Sequence, residues 1–204
     1  MVKVWKVNTL KNTPVDDEIE RFLLQCLFRG LDDTYGLSMN RAYLDLCRTL
    51  RIADKDKAEK ARRGAEKDLR KEAHAILAAG CANQDQYDSW HFNICEKLVK
   101  RYKPSGCVLT LGHAQKWVNM TMKYLCVFKD VQAIAMLPYL HAPLDSYIFK
   151  AAKDQLGINP PCHAWSKLAN YQDYIAYQAA IRDTSGKPAL VWEFGAWNAT
   201  ASQK

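Results

Sequence analysis

The sequence predicts an all-α fold, a compact multi-helix domain, and three observations lead there. Apolar residues recur at three- and four-residue spacing through most of the chain. Period-two alternation is confined to the first few residues, where Val2, Val4 and Val7 outline a short strand or extended arm. Proline and glycine are sparse before residue 104, so the first half reads as helices joined by short turns. With 204 residues, 49% of them hydrophobic, the chain is long enough to bury a substantial core and short enough for a single domain. One helical domain over 1–204 is the reading, with two helical lobes at about 1–103 and 104–204 as the alternative division.

The elements follow in order. Residues 16–29 carry Ile19, Phe22, Leu23, Cys26 and Leu27 on one helical stripe and stop at Gly30. Ser38 is expected to cap a second helix that turns Ala42, Tyr43, Leu46 and Leu50 inward. Residues 54–79 form the longest helix, whose opposite charges at three- and four-residue spacing describe a solvated face laced with ion pairs; tracking of phosphates is the functional alternative. Residues 84–102 place Tyr87, Trp90, Ile94 and Leu98 on one face and end in Lys97, Lys100, Arg101 and Lys103, cations that suit a helix C-terminus. Beyond Pro104 and Gly106, helices are expected at 113–128, at 131–137 up to Pro138, from Asp145 to near Gly157, at 171–182, and from near Pro188 onward with Trp192, Phe194 and Trp197.

Composition excludes several classes. No apolar run reaches the length of a membrane span, the richest window, 118–137, being broken by Asn119, Lys123, Lys129 and Asp130. The N-terminal residues lack the apolar core and small-residue cleavage site of a secretory signal. Seven cysteines, an odd number scattered through helical segments, fit a reducing cytoplasm rather than a disulfide framework, with nucleoid association if the partner is DNA. His91 and Cys95 share a helix face but lack two further ligands, so neither a metal nor a cofactor is expected. A net charge of +7 favours anionic partners.

The most informative stretch runs from Gly112 to Asp145. Gly112 stands at the start of a helix, where a missing Cβ permits close backbone approach and free amides attract a phosphate, and Lys116 follows in the same first turns. Downstream, Pro143 stiffens the approach to Asp145, an acidic residue at the next helix start. A fixed carboxylate stabilises positive charge that develops beside it, and an amine attacks carbon when unprotonated.

The segment Leu109-Thr-Leu-Gly-His-Ala-Gln-Lys-Trp-Val-Asn resembles the hairpin and following helix of the helix-hairpin-helix DNA glycosylase/lyase superfamily, and Ala142-Pro-Leu-Asp145 resembles its proline–x–aspartate segment. Ala114 stands where a second glycine is usual, and 29 residues separate Lys116 from Asp145, features nearest the archaeal AGOG branch of the 8-oxoguanine DNA glycosylases. The resemblance implies a helix-hairpin-helix-like element and a DNA repair enzyme of base excision. It would release a damaged or modified base, an oxidised purine above all, from duplex DNA, as a glycosylase (a hydrolase) with a possible lyase step and no cofactor. Lys116 would be the nucleophile and Asp145 its electrostatic or general-base partner. Lys123, seven residues on, is a rival nucleophile.

For DNA binding the expected contacts are Lys100, Arg101, Lys103, Gly112, His113, Gln115, Asn119 and Lys123. A flipped base needs aromatic walls, and Trp90, Trp117, Tyr139, Trp192 and Trp197, with Phe194, are the candidates. Two other readings stand beside the enzyme: a non-catalytic nucleic-acid-binding helical module, and a bacterial or phage defence-related interaction protein using the aromatic-rich C-terminal third.

Overall fold

The computed structural model describes residues 14–201; the Val2–Val4–Val7 arm lies outside them. The described residues form α1 (Pro14–Phe28), α2 (Thr34–Leu44), α3 (Lys55–Ala79), α4 (Gln84–Tyr102), α5 (Leu111–Val127), α6 (Val131–Ala135), α7 (Ser146–Leu156), α8 (Tyr171–Ser185) and α9 (Ala189–Ala201), with 3-10 turns at Cys47–Thr49, Lys103–Ser105 and Trp165–Lys167 and no strand among them. The all-α expectation holds. None of these helices is long and apolar enough to cross a membrane.

Helix starts follow cap chemistry. Asp54, Asn83, Asp130, Asp145 and Asn170 each accept a backbone N–H from the first turn that follows. Ser38 does not cap α2: Asp33 does, accepting from Gly36 N, and Ser38 sits buried inside the helix. α2 also ends before Leu46 and Leu50, which stay buried around the 3-10 turn that follows. Gly157 and Gly186 close α7 and α8 in the left-handed conformation that a side chain resists, carrying α8 to Ser185 rather than 182.

α5 is the axis of the fold. Nearly every side chain along it is buried, polar ones included, which marks a helix enclosed on all sides. α2, α4, α6 and the Trp165–Lys167 turn pack on it, and α7, α8 and α9 pack on one another. One hydrophobic cluster runs from Phe28 to Ala196, drawing on both halves of the chain. α3 meets this core through a small-residue face of Ala58, Ala61, Ala65, Leu69 and Ala73, and its outer face carries the expected Arg62–Glu66 and Arg63–Glu59 pairs.

Candidate active site

The site begins at the α5 entry. Thr110 caps the helix by accepting from His113 N (3.3 Å), and His113 Nδ1 accepts from Thr110 N (3.1 Å), so a histidine fills the role usually held by Glu or Gln in a capping box. With Nδ1 accepting, Nε2 carries the proton and donates to Thr49 Oγ1 (3.0 Å). Burial pushes the His113 imidazole down to about 4, which keeps it neutral.

Gly112 lies inside the first helical turn, not in a preceding hairpin turn. Its N–H donates to Leu168 O (3.0 Å), and a Cβ there would stand 1.9 Å from the Trp165 carbonyl oxygen. The glycine is therefore needed for the 165–168 turn to lie against α5. This corrects the phosphate expectation at Gly112 and His113: the amides of Gly112, His113 and Ala114 donate to Leu168 O, Thr110 Oγ1 and Thr110 O, and are spent inside the fold.

The segment before α7 is extended but has no partner strand, so its backbone groups find side chains instead. Gln178 Oε1 accepts from Ala142 N (3.0 Å) while its Nε2 donates to Ala142 O (2.7 Å). Two residues on, Gln115 Oε1 accepts from Leu144 N (3.1 Å) and its Nε2 donates to Leu144 O (2.8 Å). Each glutamine thus pairs with the segment as another strand would. The next residues in register, Lys116 and Asp145, meet directly, with Nζ 2.8 Å from Oδ2. Asp145 uses its other oxygen, Oδ1, to accept from Tyr147 N (2.9 Å) and Ile148 N (3.1 Å). Lys116 is 7% exposed, and its Nζ also lies 4.7 Å from the centre of the Trp165 ring.

Asn119, one turn on, donates to Tyr174 Oη (2.8 Å) and Gln115 Oε1 (3.1 Å). Tyr174 also meets His141 Nδ1 (2.9 Å), whose Nε2 meets Asp88 Oδ1 (2.8 Å). An ionised carboxylate only accepts, so His141 Nε2 donates to Asp88 and Nδ1 accepts a hydrogen bond from the Tyr174 hydroxyl. Burial lowers the His141 imidazole; burial raises Asp88, yet the His141 hydrogen bond brings it net below the usual carboxylate range. Gln115 and Asn119, expected as DNA contacts, are buried and turned inward: Gln115 holds Leu144, and Asn119 Nδ2 holds Gln115 and Tyr174.

A second buried pair lies further along α5. Lys123 Nζ is 2.8 Å from Glu193, which is 1% exposed, and the Phe194 and Trp197 rings lie 5.0 and 5.7 Å from the same nitrogen. Lys123 therefore faces a carboxylate rather than a phosphate. Burial pushes the Glu193 carboxyl up, against the opposing pull of Lys123.

The other expected contacts divide. Arg101 fastens α4 to α3 through Asp68 (3.0 and 2.7 Å), whereas Lys100 reaches Glu96 one turn back and Lys103 is exposed. A groove of about 970 Å³ runs along α3 beside Pro104 and Ser105, lined by Lys57, Lys60, Arg63, Lys67 and Arg101 with Asp56, Glu59 and Asp68; neither Lys116 nor Asp145 lines it. The aromatic candidates do not assemble around Lys116. Trp117 is core, donating to Met39 O (3.0 Å) beside Tyr43 and Tyr102, because one helical step from Lys116 turns it about 100° away. Trp192 is buried; Trp90 and Tyr139 are half-buried against the core; Phe194 and Trp197 stand at Lys123.

The aromatic ring at Lys116 is Trp165, which opens the short 3-10 turn beyond Pro160 and Pro161, too brief for helical spacing to reveal. Glu193 is likewise invisible to spacing, since α9 is apolar on nearly all sides and a single acid there reads as surface; a lone charge in an apolar helix is the signal that would have found it. Among the described residues no group of three or more histidine, cysteine or acidic side chains is placed to hold a metal ion, and His91 and Cys95 stay in the core, Sγ 3.7 Å from Nε2. Comparison of the chain with protein-family models, with curated proteins and with solved structures finds no match.

Proposed function

We propose that the chain is a DNA glycosylase with a lyase step, in which Lys116 attacks the sugar and Asp145 serves it. One observation carries the reading: two residues 29 apart in sequence meet as an amine and a carboxylate 2.8 Å apart, beside an aromatic ring, with the carboxylate fixed at a helix start. In this reaction Asp145 takes a proton from the Lys116 ammonium. The amine lone pair forms the bond to C1′, the C1′–N bond breaks, and its electron pair leaves on the base. Asp145 passes the proton to the departing base and, ionised again, offsets the positive charge on the sugar; the C1′–O4′ bond then opens, a proton moving from nitrogen to O4′, which leaves the iminium that borohydride reduces. Trp165 covers the amine, so the 165–168 turn is the element that moves aside for a flipped nucleotide.

Borohydride trapping on duplexes bearing oxidised purines tests this. The wild-type chain should give a covalent adduct, Lys116→Gln and Lys116→Arg should not, and Lys123→Arg, which keeps the charge beside Glu193, should retain it. The arginine variant keeps the ion pair with Asp145 and so separates chemistry from folding. Equal trapping by a folded Lys116 variant sinks the assignment.

A second reading, a non-catalytic nucleic-acid-binding module, is favoured by the α3 groove, whose lysines and arginines outnumber its acids. Binding that falls steeply with salt, survives Asp145→Asn and releases no base from any lesion would select it.

A further inference from the structure

Among the described residues, α1 carries an apolar stripe that no other element covers. Val15 is 65% exposed, Ile19 54%, Phe22 66%, Leu23 59% and Leu27 39%. These positions recur at three- and four-residue spacing and form a continuous band along one side of the helix. The side of α1 turned to the body is a different one. Phe28 packs on Tyr124 and Phe128 with ring centres 5.2 and 4.3 Å apart, Leu24 packs beside it, and Glu20 pairs with Lys129. Helical geometry sets Glu20, Leu24 and Phe28 on one face and the exposed stripe on another.

We propose that α1 is a self-association surface, through which two copies of the chain pair antiparallel about a two-fold axis. Area supports a second copy as the occupant. The five side chains present on the order of 500 Å² of apolar surface, at the upper end of what a monomer leaves open. Two such stripes together cover roughly 1,000 Å², the lower bound of a specific interface, which corresponds to a weak, concentration-dependent dimer. Charge supports the same occupant and sets its direction. Glu20 is turned to the body and Arg21 lies on the side opposite the stripe, so the charges that flank the stripe on one edge are Glu18, near the start of the helix, and Arg29, just past its end. Antiparallel pairing brings the Glu18 end of each copy to the Arg29 end of the other; parallel pairing would leave the two at opposite ends. A two-fold axis is satisfied by that arrangement, because the same patch meets itself. The acidic excess also argues against a membrane surface, which selects helices rich in lysine and arginine.

Analytical ultracentrifugation of the full chain over a concentration series tests the proposal. The wild type should move from monomer toward dimer as it rises from about 1 to about 100 µM, the range such an area supports. Phe22→Asp and Leu23→Asp should each remain monomeric throughout, with helical circular dichroism and melting temperature unchanged, since both positions are exposed. A wild type that stays monomeric at the highest concentration overturns the inference, as does a Phe22→Asp variant that dimerises as tightly. Glu18→Lys should weaken association about threefold, in keeping with rim charges, and adding Arg29→Glu should restore it; a double variant no better than the single overturns the antiparallel arrangement.

Discussion

Lys123→Met isolates the energetics of the buried pair on α5. Methionine keeps most of the aliphatic stem and removes the charge, leaving Glu193, 1% exposed, without its cation. Removing one member of a buried pair typically costs about 3–5 kcal/mol, because the surviving charge remains desolvated. At a urea m-value of about 2 kcal/mol/M, that is a fall of roughly 2 M in the unfolding midpoint. Replacing both members, Lys123→Met with Glu193→Leu, should recover most of the loss, since no charge is left inside. The pH dependence has a definite sign. Burial raises Glu193 above its ordinary value, and in the variant nothing from Lys123 opposes it. A carboxyl whose folded-state value is raised is stabilising when protonated, below its unfolded value, and loses that contribution as pH rises through the folded value. The single variant's deficit should therefore be largest near neutrality and shrink on acidification toward pH 4.5, the unperturbed glutamate value. Urea titrations followed by circular dichroism at several pH values measure this. A single-variant cost below about 1 kcal/mol, or a double variant as unstable as the single, would refute the buried-pair reasoning.

Other outcomes follow from the same geometry. Gly112→Ala drives a Cβ to 1.9 Å from the Trp165 carbonyl, which the fold meets only by displacing the 165–168 turn and straining the Gly112–Leu168 hydrogen bond. About 3 kcal/mol of stability should go, despite alanine's better helix propensity, and a melting temperature at or above wild type would contradict the close approach. Gln115→Leu leaves the Leu144 N–H and C=O buried without partners, at a cost of about 3 kcal/mol, and borohydride trapping should weaken with it; trapping at the wild-type rate would show that the Leu144 clamp does not position Asp145. His113 should titrate near pH 4 by NMR, and because its folded value lies below the unperturbed 6.5, stability should fall as pH drops from 6.5 to 4, by roughly 3 kcal/mol in all. A His113 midpoint above 6 would remove that account.

Helix existence was legible wherever one face alone is buried. The boundaries of α3 and α4 follow from their caps and from Gly80 and Pro104, and the expected spans coincide with the helices. α2 misled because Ser38 looks like a cap only while Asp33, five residues earlier, is ignored. Lys116 and Asp145 meet as a largely buried ion pair, away from the α3 groove. What encloses the pair was not legible. α5 is buried all round, so spacing cannot distinguish the face of Trp117 from that of Lys116, and polar residues on an enclosed helix look the same in sequence as polar residues at the surface. Gln115 and Asn119 are polar because an unpaired extended segment must be satisfied, a demand that exists only once α5 and residues 140–144 lie side by side. The lysines and arginines of α3 and α4 raised the net charge, yet Lys97 and Arg101 are paired with Glu72 and Asp68, so overall charge overstated what is available to a partner.

Asp145 divides its two oxygens between two tasks, and the division makes them separable. Oδ1 alone holds the amides of Tyr147 and Ile148, so withdrawing Lys116 from Oδ2 does not uncap α7. Orientation is thus supplied through one oxygen by the helix start, and charge is presented to Lys116 through the other.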